Sequence, residues 1–169
     1  MKWVKEVLTP KELSNNLFLA KDNVKRTAWH VAVEKGQLEV VHKLWEQAKT
    51  VLTPGELNSK LFLAIATWGR TVWHVAAEKG QVDILHKLFE WAKEVLTEEE
   101  LNNKIFLAKD IKKRMACNVA AEKGKVEVLR KLWEWAKEVL TPEELNNKFW
   151  LAKDDRKYIA WHVAALMGN

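Results

Sequence analysis

Apolar side chains fall at helical spacing through most of the chain. Val41, Leu44, Trp45 and Ala48 line one side of the stretch from Leu38 to Val51, with Glu39, Lys43, Glu46 and Lys49 on the others. That spacing predicts an amphipathic helix. A shorter helix is predicted ahead of it, near residues 27–35, ending at Gly36, where a residue without Cβ can take the left-handed stop. A third is predicted from Thr53-Pro54-Gly55-Glu56: Thr53 caps, Pro54 suits the first helical position, and Glu56 completes a capping box. It carries Leu57, Leu61 and Phe62 inward and ends near the segment that reads "LAKD" elsewhere in the chain. Polar turns follow at 22–26, 66–70, 110–114 and 154–158.

The whole pattern returns every 44 residues without a gap, bringing Gly36, Gly80, Gly124 and Gly168 into register, and likewise Thr9, Thr53, Thr97 and Thr141. Such a period predicts a solenoid, in which each unit buries its apolar face against the next. The expected fold is all-α, a single array of about four 44-residue helical units. Its full units span about 23–66, 67–110 and 111–154, and partial ones cover 1–22 and 155–169.

Within each unit, "DNVKRTAWHVAVEKGQLEVVHKLW" resembles the ankyrin repeat: a turn, a His-x-Ala helix start, a Gly, and then "LEVVHKL". The resemblance covers about 24 of every 44 residues and runs the length of the chain. It implies that His30, His74 and His162 bond turn backbone and that Trp29, Trp73 and Trp161 pack between units. The unit is longer than the family's usual one, Trp stands where the family prefers Leu, and the turn glycine survives only as Gly69. Lys25, Lys113 and Lys157 replace that glycine, so those turns are expected to depart from the family's hairpin. An armadillo-like array, the other three-helix arrangement of this length, lacks the His-x-Ala-Ala and Gly signature.

Composition narrows the function. Of the 169 residues, 48% are hydrophobic and 30% charged, and no run of apolar residues is long enough to span a bilayer. No secretory leader is evident, so a soluble chain with a cytoplasmic or intracellular location is expected. Cys117 is the only cysteine, which excludes an intramolecular disulfide and a Cys-rich zinc site. It takes the register of Trp29, with Asn118 in place of the His, so a small buried thiol and the weakest inter-unit joint are expected there.

No motif for phosphate, acyl-transfer, zinc or calcium chemistry occurs. Glu98, Glu99 and Glu100 read as first-turn charges favoured by the helix dipole. Neither enzyme activity nor a cofactor is expected. The units differ most at their turns, and an exposed binding face is expected from Asn23, Val24, Lys25, Arg26, Thr67, Trp68, Arg70, Ile111, Lys112, Lys113, Arg114, Asp155, Arg156 and Tyr158. A protein partner is the leading expectation. With a net charge of +5 and further basic residues (Lys21, Lys109, Lys153, Lys157) at the same turns, a nucleic-acid ridge is the alternative. A structural or designed spacer without a partner is the third reading. The chain closes on a first-type helix, "WHVAALMGN", with no second helix after it. It is therefore expected to be a segment of a longer or engineered array whose apolar end, with Trp161, Leu166 and Met167, self-associates.

Overall fold

The computed structural model describes residues 18–168, and among them every regular element is helical. Short helices α1 (Ala28–Glu34), α4 (Val72–Lys79), α7 (Ala116–Glu122) and α10 (Ala160–Met167) begin 44 residues apart. Long helices α2 (Leu38–Val51), α5 (Val82–Val95) and α8 (Val126–Val139) share the same spacing. Brief capped turns α3 (Pro54–Leu57), α6 (Glu98–Glu100) and α9 (Pro142–Glu144) complete the set. Each short helix packs on the next, α1 on α4, α4 on α7 and α7 on α10, and the long helices pack in the same order. Trp3 and the cap at Thr9 lie outside the described residues. No helix among the described residues is long and apolar enough to cross a membrane.

The core follows from the amphipathic stripes. Val41, Leu44, Trp45 and Ala48 on α2 are buried, as are Leu85, Leu88 and Ala92 on α5. Burying a large apolar side chain is worth roughly 1.5–3 kcal/mol. Aromatic rings tie successive long helices together: Trp91 stacks on Trp45 with centroids 5.1 Å apart, and Trp135 stacks on Phe89 at 4.8 Å. The short helices stop as the glycines require, with Gly80 in the left-handed region at φ 74°.

The third helix departs from expectation. After one α-turn it widens into a π-helical stretch, Asn58–Phe62, Leu101–Phe106 and Leu145–Trp150 in successive segments. The wide turns close with bonds from Leu63 N to Asn58 O, Leu107 N to Asn102 O and Leu151 N to Asn146 O. Leu57, Asn58, Leu61 and Phe62 are all buried by this stretch. The Asn is also anchored laterally: Asn58 Nδ2 donates to Glu100 and Asn102 Nδ2 to Glu144, the glutamates that cap the next segment's helix. Each capping glutamate therefore serves its own Thr and its neighbour's Asn, which links the segments outside the apolar core.

Candidate partner-binding ridge

Three of the four turns are built around an aspartate. Asp22 Oδ1 accepts from the backbone N–H groups of Val24 and Arg26, Asp110 Oδ1 from those of Lys112 and Arg114, and Asp154 Oδ1 from those of Arg156 and Tyr158. In each, the residue three after the Asp bonds back to the Asp carbonyl and takes left-handed dihedrals: Lys25 at φ 59°, Lys113 at 58° and Lys157 at 66°. A non-glycine residue there costs about 1–2 kcal/mol, and the gathered donors hold it in place. The lysines thus occupy the glycine-like conformation that their replacement of Gly69 had put in doubt.

The second turn is made differently, because Ala66 stands where the others have Asp. The outer bond survives, Ala66 N to Arg70 O, yet both Trp68 (φ 65°, ψ 21°) and Gly69 (φ 72°) are left-handed. Two successive positive φ angles make a mirror-image turn, which needs no side-chain acceptor. Arg70 records the loss: its Nε and Nη2 are buried without a partner. In the flanking segments the same atoms grip a carboxylate, with Arg26 on Asp22 and Arg114 Nε and Nη2 on Asp110 at 2.9 and 2.7 Å.

Backbone hydrogen bonds join the turns to one another. Val24 O accepts from Thr67 N, Trp68 O from Ile111 N, and Lys112 O from Asp155 N, each at 2.9–3.0 Å. Thr67 Oγ1 adds a second donor to Val24 O, and Lys21 Nζ donates to Ile65 O. The tips therefore form one continuous ridge. Along it Val24 is 45% exposed, Trp68 63% and Ile111 64%. Asn23, Lys25, Lys112, Lys113, Asp155, Arg156 and Tyr158 are exposed beside them. The guanidinium of Arg156 lies 5.4 Å from the Tyr158 ring centroid.

The other three arginines of the turns do not belong to this surface. Arg70 and Arg114 have side chains only 13% and 14% exposed, pairing with Glu78 and Glu122 on their own short helices, and Arg26 pairs with Asp22 and Glu34. They hold turn to helix, and the basic character of the ridge comes from its lysines and Arg156. The organising aspartates escaped the sequence reading, although an Asp four residues ahead of Arg26 and of Arg114 was the available signal.

Behind the ridge, the paired Trp and His residues are structural. Trp29 and Trp73 are buried. His30 Nδ1 accepts from Thr27 Oγ1 at 2.9 Å while its Nε2–H donates to Ala64 O, and His74 repeats this with Thr71 and Arg114 O. Burial lowers the pKa of both imidazoles to about 4. His162 differs, since it is exposed and meets the Tyr158 ring edge-on. In its register Ile159 replaces the Thr that bonds His30 and His74. At Asn118 the clamp is half-made: Oδ1 accepts from Met115 N, and the buried Nδ2 has no partner. Cys117 is buried beside it, its thiol pushed up to about 12 by desolvation.

The sequence matches no protein-family model, and no curated protein matches it.

Proposed function

We propose that the chain is an ankyrin-like solenoid acting as a binding scaffold, and that its turn ridge contacts a protein partner. The reading is supported above all by the hydrogen-bonded continuity of the tips, which carries exposed Val24, Trp68 and Ile111 on one rigid line. An isolated exposed apolar residue is ordinary, whereas an ordered row is not. Because the row is pre-organised, little conformational entropy is lost on binding, and a few anchors can dominate affinity. Lys25, Lys112, Lys113 and Lys157 flank the row, so the matching partner presents apolar side chains bordered by carboxylates. Three arginines are already neutralised by internal carboxylates, and this subtracts from the charge a nucleic-acid ridge would need.

The test is capture from lysate, with and without nuclease, by the intact chain and by a Trp68→Ala/Ile111→Asp variant. A protein held by the intact chain, lost by the variant and indifferent to nuclease is the expected result. Capture that nuclease abolishes would establish the nucleic-acid reading instead. Equal capture by both proteins would leave the ridge as a solubilising edge and the chain as a spacer.

A further inference from the structure

Arg70 engages a carboxylate with only half of its guanidinium. Nη1 donates to Glu78 on α4 at 3.0 Å, while Nε and Nη2 are buried with no acceptor among the described residues. Charged donors taken out of water without an acceptor lose their hydration and gain nothing in return. An acceptor that reaches them is therefore bound with more gain than it would find at a solvated arginine.

The flanking turns show what those two atoms are placed to hold. Arg26 directs Nε and Nη2 onto Asp22 Oδ2 at 2.8 and 2.7 Å, and Arg114 directs the same pair onto Asp110 Oδ2 at 2.9 and 2.7 Å. In both, Nη1 is committed to a glutamate of the short helix, Glu34 on α1 or Glu122 on α7. Arg70 keeps that inner partner in Glu78, so its guanidinium is held by the same helix contact as its neighbours. Only the outer carboxylate is missing, because the residue four positions ahead of Arg70 is Ala66.

Charge and space both admit one. Arg26 and Arg114 each meet two carboxylates and Arg70 meets one, so a further negative group at the second turn reproduces a balance the chain already holds twice. Ala66 and Arg70 share the wall of a concavity of about 320 Å³ with Val24, Thr67, Trp68 and Val75. Glu34 and Glu78 also border it, and both are already paired, Glu34 with Arg26 and Lys79 and Glu78 with Arg70 itself.

We propose that the second turn is a carboxylate-binding site, in which an incoming carboxylate takes the role of the turn aspartate and is held by Arg70 Nε and Nη2. The planar guanidinium fixes the direction of both donors, which suits a carboxylate oxygen and gives the contact its geometry. The site recognises the group and not its bearer. A small free carboxylate and the side chain of an Asp or Glu in a bound chain present the same oxygens. The inference does not rest on the protein partner proposed for the ridge, since a free carboxylate tests it without one.

The test follows the Arg70 Nε–H resonance of the full chain, assigned by its loss in Arg70→Lys, as sodium acetate replaces sodium chloride at constant ionic strength and neutral pH. A saturating shift is expected, with a midpoint in the millimolar range for so small a ligand. Ala66→Asp carries the carboxylate internally and is expected to give no such shift. N-acetyl-aspartate N-methylamide and its asparagine counterpart then identify the bearer. A response to the first and not the second extends the site to acidic side chains, whereas a response to acetate alone restricts it to small free carboxylates. The inference is overturned if neither acetate nor the aspartate amide gives a saturating shift, if the asparagine amide matches the aspartate amide, or if a folded Ala66→Asp keeps the response. Circular dichroism checks the fold of that variant, and the titrations of the intact chain decide the outcome without it.

Discussion

Acidification should unfold this protein in a pH window set by His30 and His74. Both imidazoles are neutral and buried, with pKa values lowered to about 4 from 6.5, chiefly by desolvation. In the unfolded chain each recovers its ordinary value, so between about pH 6.5 and 4 the unfolded state binds protons that the folded state refuses. Stability is therefore full above about 6.5 and falls as pH drops towards 4. Each group contributes a slope of about 1.4 kcal/mol per pH unit inside that window, and the pair about 3 kcal/mol per unit. Such a slope is a large fraction of a typical domain's net stability. The cap glutamates do not confuse the measurement above about pH 4.5. Glu56 and Glu144 are held down to about 2, mainly by Lys60 and Lys148, and their effect sets in only below the ordinary carboxylate range. Urea midpoints followed by circular dichroism at about pH 7, 6 and 5 would give the slope directly. His30→Asn and His74→Asn should each lower the midpoint at pH 7 but halve its pH dependence, Asn118 being the chain's own non-titrating occupant of the position. A midpoint that is flat across the window, or a double variant that keeps the full slope, would refute the assignment of buried neutral imidazoles.

Other substitutions probe the same devices. Ala66→Asp should raise stability by about 1–3 kcal/mol, read as a higher urea midpoint. It supplies Arg70 Nε and Nη2 with the acceptor they have in the flanking turns and lets Trp68 leave the left-handed region. Pairing Met115→Thr with Asn118→His should add about 1–2 kcal/mol. It rebuilds the clamp around an imidazole whose Nε2–H can reach Tyr158 O, the counterpart of the Arg114 O that His74 uses. Cys117 should resist an aromatic disulfide reagent at pH 8 until denaturant is added, since its thiol titrates near 12. Rapid labelling of the native protein would show that α7 opens readily.

The helices, their glycine stops and the Thr-x-x-Glu caps could be read directly from the sequence, because each depends on residues within one or two turns of chain. Thr53, Thr97 and Thr141 accept from the backbone N–H of Glu56, Glu100 and Glu144, as the local pattern required. The features that were missed depend on partners further away. The Asn58 and Asn102 amides reach glutamates 42 residues on, and no local signal marks those bonds. His30, His74 and His162 share one register, yet only the first two are buried, each with its Nε2 on a backbone carbonyl 34 or 40 residues further along the chain. Counting positive charge along the turns likewise overstated the basic ridge, since Arg70 and Arg114 turn inward onto Glu78 and Glu122, eight residues on.

The four turns show how a single carboxylate sets both conformation and display. With Asp in place, donors gather on it, a lysine takes the left-handed position, and the tip presents Val24, Lys112 or Arg156 in ordinary dihedrals. With Ala66 the acceptor is gone, the mirror-image turn takes over, and the strained residue is now Trp68, exposed at the middle of the ridge. The unmet donors of Arg70 and the left-handed Trp are two consequences of one substitution. A residue held in strain on an otherwise regular scaffold is where function is expected to have set the sequence. Ala66→Asp should therefore stabilise the fold and, by re-aiming Trp68, weaken partner capture. A variant that gained stability and kept full capture would separate the turn's strain from its binding role.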